Sequence, residues 1–385
     1  MKMNLFQEWI MTSNKVQEGK INRSRTIELI RNRPGISRIE ASDSMGLNRS
    51  TLTHIVNDLL DFKLITEQKS ARAGERVGRI PIGLSIVERP ILGIEWQDHF
   101  MRFSLQTLTG KTLHQGQVEL LDHGIDNFKD ELLTLIPELE REHHCRIYGV
   151  GIGLPGRINP HKGIALESLP LELNNYPLAE VLEKELKIPV LLENDANCFA
   201  WGEIGDRKEF KGNLLCMLLE FHSNPQSQTW DQEVGIGVVT GGEVYHGSSY
   251  SAGELQVSPV IDSLRNDFLK ILNSDKHENT VASLEYTSLL FRTLSPVIST
   301  LDPELLILGG DFYLHKTLLE PALKKVIPFN WKFSQKGIWE VAEGAASFFI
   351  KTIFTLPGFD DEAAYKGAWE EILIEQKKIS GGSHV

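Results

Sequence analysis

The chain has 385 residues, 41% of them hydrophobic, and a formal net charge of −12. That length exceeds what one hydrophobic core usually serves, so two or three domains are expected. No apolar run approaches the ~20 residues of a membrane-spanning helix, which excludes a helical membrane protein.

Charge is unevenly shared. Residues 1–85 carry 14 Lys and Arg against 9 Asp and Glu, a net of +5, so the rest of the chain is strongly acidic. A basic footprint confined to one end of an acidic protein is the pattern of a small nucleic-acid-binding module on a larger body. Cys145, Cys198 and Cys216 have no CxxC spacing and no even pairing, which suits a reducing cytoplasm. Glu8 and Asn14 break up the apolar residues near Met1, so no secretory signal is expected and a cytoplasmic protein is.

Asn22 to Arg33 reads as a helix with Ile27, Leu29 and Ile30 apolar, ended by Pro34-Gly35. The run ISRIEASDSMGLNRSTLTHIVNDLL, Ile36 to Leu60, then reads as two short helices joined by a glycine turn. Ser37 is the first N-cap, and Ile39, Ala41 and Met45 give the first helix its apolar side. Gly46 supplies the turn and Asn48 the second cap. Leu52, Ile55, Val56 and Leu59 recur at i, i+3, i+4 and i+7 as one apolar face. Arg49, Ser50, Thr51, Thr53 and His54 are left at the exposed start of the second helix, where a helix-turn-helix offers side chains to base edges. An ordinary helical hairpin in a bundle is the alternative. The stretch RAGERVGRIP, Arg72 to Pro81, has the composition of a β-hairpin wing that lays Arg76 and Arg79 along DNA, or of a solvated linker. The candidate DNA contacts are therefore Ser37, Arg38, Asn48, Arg49, Ser50, Thr51, Thr53, His54, Arg76 and Arg79.

From Pro90 the pattern becomes α/β. Strands are predicted over Ile91–Ile94, Met101–Thr107, Lys111–Glu119, Ile147–Ile152, Val190–Leu192, Leu214–Phe221, Val234–Thr240 and Leu305–Leu308, with helices over Asp126–His143, Leu178–Leu186 and after Ala282. Strand pairs feeding glycine loops in two successive halves suggest two lobes with a ligand cleft between them. His143-His144-Cys145 reads as a polar surface turn, because adjacent residues at a helix end point in different directions. Cys198 reads as buried packing rather than a redox sensor.

ENDAN at 193–197, GIGLPG at 151–156, GIGVVTGGEVYHG at 235–247, AGE at 252–254 and DPELLILGG at 302–310 stand in an order that resembles the ROK family of repressors and sugar kinases. With the N-terminal helix-turn-helix, the chain is most similar to the repressor branch, which governs xylose, N-acetylglucosamine and glucose operons. The resemblance implies a winged helix-turn-helix over 1–86 followed by a two-lobed actin-like ATPase (sugar-kinase) fold. The first lobe is expected over 87–200, completed by a C-terminal helix at about 355–378, and the second over 201–354. It further implies a homodimer or homotetramer that binds double-stranded operator DNA and a small carbohydrate effector, with no membrane partner. Asn194, Asp195, Glu254 and Gly156 are the implied ligand contacts. Asn194 and Asp195 also suit a purely structural role as helix caps.

Family kinases use the aspartate of ENDAN, here Asp195, as general base on a sugar hydroxyl. Such a base works only beside a held phosphoryl donor. The family's D-x-G-G-T phosphate loop corresponds to Glu95-Trp96-Gln97-Asp98-His99, where both glycines are gone, Trp96 and Gln97 add bulk and Asp98 adds negative charge. In the second phosphate loop Glu233 replaces the first of three glycines, leaving Gly235 and Gly237. No catalytic residue is therefore assigned, Asp195 standing as a vestigial base, and no cofactor or enzyme activity is expected. Gln256 and Val257 follow AGE in place of the family's glycine and zinc-binding histidine, and the cysteine cluster that completes that zinc site is replaced around Asp262 to Lys270. The family's structural zinc is thus not expected. Leu173 stands where the family often has a tryptophan beside the sugar. The leading expectation is a repressor of a carbohydrate operon. The alternatives are a sugar kinase with a fused DNA-binding domain and a ligand-independent repressor with a vestigial pocket.

Overall fold

The computed structural model describes residues 19, 22–23, 25–61, 64–69, 82–121, 124–205, 210–224, 229–254 and 280–354. Residues 25–32 are helical (α1) and bury Thr26, Ile27 and Ile30. In α2 (Arg38–Met45) the Ser37 hydroxyl accepts from the Glu40 backbone N–H at 3.2 Å, and the Glu40 carboxylate accepts from the Ser37 N–H at 2.8 Å. This reciprocal cap satisfies two orphan donors at once. Gly46 ends α2 in the left-handed region (φ 63°), which only glycine enters without cost. The Asn48 side chain then caps α3 (Arg49–Asp61), accepting from Thr51 N–H at 2.8 Å. Leu52, Ile55, Val56 and Leu59 are all buried, as their spacing requires.

The apolar side expected for α2 needs one correction. Ile39 is 54% exposed, whereas Ala41 and Ser42 are buried. The buried Ser42 hydroxyl is satisfied by the Leu47 carbonyl at 2.7 Å, so a polar residue occupies the core-facing position. Strands β1 (Ile36–Ser37), β2 (Ile65–Lys69) and β3 (Ile82–Ile86) pair antiparallel in the order β1-β3-β2, with Ile65 opposite Ile86 and Lys69 opposite Ile82. Three helices followed by this hairpin make a winged helix-turn-helix. The segment between β2 and β3, with Arg76 and Arg79, lies outside the described residues.

The body starts with β4 (Pro90–Trp96), β5 (Phe100–Thr107), β6 (Thr112–Glu119), α4 (Ile125–Glu142) and β7 (Val150–Leu154). A small antiparallel sheet not foreseen from the sequence follows: β8 (Arg157–Asn159), β9 (Ile164–Ser168) and β10 (Leu173–Tyr176). Its strands are too short to display a hydrophobic period. Next come α5 (Leu178–Leu186), β11 (Val190–Asn194) and α6 (Asp195–Gly205). The first sheet has the order β11-β7-β4-β5-β6, with β11, β7 and β4 parallel. The second contains β12 (Leu214–Asn224), β13 (Thr229–Thr240) and β14 (Glu243–Val244); α7 (Thr280–Leu301) precedes β15 (Leu305–Gly310). It is completed through α8 (Asp311–Leu314), α9 (Lys316–Val326), β16 (Trp331–Phe333) and α10 (Glu340–Phe354), in the order β14-β13-β12-β15-β16.

Alternation along the strands shows how these layers stack. From β4, Leu92, Ile94 and Trp96 join Phe128, Leu132 and Leu182 in one cluster, while Ile91 belongs to a central one. From β12, Leu215, Met217 and Leu219 join Tyr286, Leu290 and Leu319, while Leu214, Cys216 and Leu218 face the central cluster. The central cluster is built on α6 and α10, sandwiched between the two sheets, with α4 and α5 outside one sheet and α7 and α9 outside the other. Each fully buried Leu or Ile adds about 1.5–3 kcal/mol to that sandwich. The crossing of α6 and α10 is very close: a Cβ on Gly344 would overlap the Cys198 carbonyl. Helix α10 lies on β4 and β7 of the first sheet; residues 355–378, expected to complete that lobe, lie outside the described residues.

Candidate functional site

The three parallel strands of the first sheet end together. Glu95 to Gln97 lie at the end of β4, Gly156 follows β7, and Asn194 and Asp195 follow from β11 into α6. Ligands of open α/β sheets sit at such carboxyl ends. Gly235 of β13 closes on the same place, since a Cβ there would lie 2.9 Å from the Ala196 Cβ and 3.8 Å from Asp195 Oδ1. An isolated bridge from Gly235 to Glu254 carries Glu254, which is exposed, to the same rim. Three distant stretches of the chain, represented by Gly156, Asn194-Asp195 and Glu254, are thus brought to one place.

Asn194 performs the structural task foreseen as its alternative. Its Oδ1 accepts from Asn197 N–H at 3.1 Å, and its Nδ2 donates to the Gly156 carbonyl at 3.0 Å. It therefore locks the loop after β7 to the start of α6. Asp195 is 6% exposed, and its Oδ1 accepts from Ala196 N–H at 2.7 Å. Leu173 packs in the first-lobe core.

Sequence reasoning missed the hub beneath them. Glu193 is fully buried; its carboxylate accepts from Asn194 N–H (2.9 Å), Asn197 Nδ2 (3.2 Å), Trp201 Nε1 (3.2 Å) and His246 Nε2 (2.7 Å). Burial works against a charged His246, but Glu193 outweighs it and holds the imidazole above its ordinary pKa. His246 belongs to the loop after β14, so this pair ties the second lobe to ENDAN. His161, from the β8–β9 turn, and Tyr250 complete a triangle of rings with His246, all centroids 6.2–6.3 Å apart. The signal available in the sequence was the histidine in GEVYHG. Cys198 is fully buried beside this hub, and burial pushes its thiol well up, as packing rather than redox chemistry requires.

On the phosphate side of the cleft the structure sharpens one expectation and corrects another. Trp96 does not crowd the loop: it is fully buried and stacks flat on Phe128 of α4, centroids 4.0 Å apart. Its neighbours Glu95 and Gln97 meet polar partners instead. Glu95 is 1% exposed and meets the Arg102 guanidinium at 3.3 Å, and Gln97 donates to Glu220 of β12 at 3.1 Å. Glu233 pairs with Glu220 through the β12–β13 ladder, and its side chain lies outside the described residues. The Glu340 carboxyl accepts the Gly310 N–H. Burial, helped by Glu95, pushes Glu340 up to about 8 against the pull of that N–H.

A pH effect follows. With its folded-state pKa raised, Glu340 is neutral in the fold at pH 7 but ionised when unfolded. Stability is therefore lost as pH climbs from about 4.5, the unfolded value, to about 8. Glu340→Gln is isosteric with the neutral acid. Urea unfolding at pH 5 and pH 8 is expected to show that loss, up to about 3–5 kcal/mol, in the wild type and not in the variant. Equal pH slopes would remove Glu340 as the cause.

On the winged-helix face, Asn48, Arg49, Ser50 and His54 are exposed, while Thr51 and Thr53 are half-buried. Thr53 bonds back to the Arg49 carbonyl (2.7 Å) and Ser50 to Asn48 Oδ1 (2.8 Å). Arg38 is engaged within the domain, donating to Glu67 of β2 (2.8 Å) and Asn57 of α3 (3.0 Å). Ser37 is the cap described above. Gln256, Val257 and the Asp262–Lys270 stretch lie outside the described residues, as do Arg76 and Arg79. No helix among the described residues is long and apolar enough to cross a membrane.

Two five-stranded sheets sandwiching α6 and α10, preceded by a winged helix, make up the two-lobed actin-like sugar-kinase fold. Residues 91–259 match the ROK family. A crystal structure of a ROK family transcriptional regulator, a homologue of the E. coli Mlc protein, superposes with a TM-score of 0.69 at 20% identity, covering 93% of this chain and 99% of that one. The xylose repressor of Caldicellulosiruptor bescii is 24% identical over 245 residues, 61% of this chain and 58% of its own length. The chain thus spans under two thirds of that relative. A glucokinase of Halalkalibacterium halodurans is 33% identical over 113 residues, 28% of this chain and 30% of its own.

Proposed function

We propose that the protein is a DNA-binding transcriptional regulator, a repressor of a carbohydrate-utilisation operon. It works in the cytoplasm as a homodimer or homotetramer, controlled by a sugar or sugar derivative in the interlobe cleft. The observation that carries the reading is the exposed polar start of α3, held rigidly by two caps and a buried apolar face inside a basic winged helix. Similarity to a xylose repressor supports the carbohydrate class. In this scheme Asp195 and Glu254 bond vicinal hydroxyls, and Gly156 lets the sugar approach the backbone. Ligand shifts the lobes between two arrangements, and the recognition helices move with them; the coupling is a difference of affinities.

The cleft chemistry opposes phosphoryl transfer. Glu95, in the stretch that corresponds to the family's first phosphate loop, and Glu220 beside Gln97 put carboxylates where this reading expects no phosphate, which supports a non-kinase role. The second reading, a sugar kinase with a fused DNA-binding domain, draws on the retained Asp195 and the glucokinase likeness. Two assays separate them. Calorimetric titration of the full chain with hexoses, pentoses and their phosphates is expected to give binding that Asp195→Asn weakens at least tenfold. Incubation with labelled ATP is expected to transfer no phosphate to any of those sugars. Phosphate transfer would establish the kinase; absence of heat with every sugar would leave a ligand-independent repressor.

A further inference from the structure

We propose that the chain carries a divalent transition-metal site outside the cleft, formed by His114, Glu142 and His143. Potential ligand atoms of these three residues all lie within 4.8 Å of one another. His114 projects from β6, paired opposite Leu105 of β5, and Glu142 and His143 end α4. The sequence shows His143 beside His144 and Cys145, a triplet whose members diverge. The fold rejects that triplet and supplies His114 from 29 positions earlier instead.

The local structure builds the site rather than merely permitting it. Glu140 accepts the Ile147 N–H at 2.7 Å, and its carbonyl accepts Cys145 N–H at 3.0 Å, which fixes the chain as it leaves α4. His144 takes a left-handed conformation (φ 48°) past the helix end and is exposed. His143 remains as the C-cap, its ring 5.1 Å from that of His114. His114 is in turn stacked on Phe103 at 5.8 Å. Both imidazoles are half-buried, and His143 Nε2 is buried with no hydrogen-bond partner. A buried, unsatisfied ring nitrogen is costly unless a ligand completes it.

Two imidazoles and one carboxylate are the donor set of borderline first-row ions such as Zn²⁺. Tetrahedral zinc with bonds of about 2.0–2.1 Å places donors about 3.3 Å apart. Glu142 is exposed and free to rotate inward to close the remaining gap. The negative end of the α4 dipole adds attraction for a cation. Three protein ligands leave a position for water or a partner's side chain. Bound metal would clamp the edge strand of the first sheet to the helix that covers it.

The test uses the full chain, stripped with a chelator and titrated with zinc chloride by calorimetry, with melting temperature as a second readout. One zinc per chain is expected, with a rise in melting temperature. His114→Gln and His143→Gln should each weaken that zinc at least tenfold and abolish the rise, while melting like the wild type without metal. Glu142→Gln, at an exposed position, repeats the test with little risk to folding and should also weaken binding. Zinc bound elsewhere would survive in all three variants. Absence of zinc uptake by the wild type, or wild-type affinity in either histidine variant, overturns the site.

Discussion

Glu193→Ala is expected to destabilise the protein by about 3–5 kcal/mol in urea unfolding at pH 7. Four donors converge on this fully buried carboxylate: Asn194 N–H, Asn197 Nδ2, Trp201 Nε1 and His246 Nε2. Its removal leaves them buried and unpaired, and breaking a buried ion pair from one side costs more than the pair's net worth. Glu193→Gln is expected to fall between, because its amide nitrogen faces donors it cannot accept from. His246→Ala is expected to cost less, and in a pH-dependent way. Its folded-state pKa is raised, so its contribution is present below the ordinary histidine value and lost as pH climbs through the raised one. The gap between wild type and His246→Ala should therefore narrow above pH 6.5. A cost under about 1 kcal/mol for Glu193→Ala would show that water replaces these partners freely.

Arg49→Ala is expected to weaken operator binding 10- to 100-fold, about 1–3 kcal/mol, and to relax base preference at one position of each half-site. Arg49 is exposed at the first turn of α3, so the variant should melt like the wild type. Arg38→Ala makes the contrast. Arg38 holds Glu67 and Asn57, tying α2 to the hairpin and to α3, so its loss should lower the domain's stability along with its DNA affinity. Arg79→Ala is expected to weaken binding to all duplexes alike, most visibly at low salt, as a phosphate or minor-groove contact does. Unchanged operator affinity in Arg49→Ala would remove α3 as the reading helix.

How much the sequence disclosed depended on whether a signal was local. The caps at Ser37 and Asn48, the turn at Gly46 and the face from Leu52 to Leu59 are properties of a few consecutive residues, and all stand as read. The strands from Pro90 to Trp96 and from Val190 to Asn194 were legible as continuous apolar runs, because both faces are covered. Ile39 was misplaced because α2 spans barely two turns, too few for a hydrophobic period to be unambiguous, and Ser42 hides its hydroxyl on a carbonyl. Trp96 was misread for a related reason: alternation in β4 sends it to the opposite face from Glu95. Glu193 with His246, Glu340 with Gly310, and His114 with His143 are pairings across long loops. Nothing in a single sequence joins such residues until topology brings the strand ends and helix ends together.

In the proposed function, α3 reads DNA and the acidic body controls it. Binding selection on a random duplex pool, with the full chain at physiological salt, tests it most directly. The expected outcome is enrichment of a two-fold symmetric site, held at least about 10³-fold more tightly than non-specific DNA and lost from the Arg49→Ala selection. A pool that emerges unenriched, with uniform weak affinity for every duplex, would contradict it.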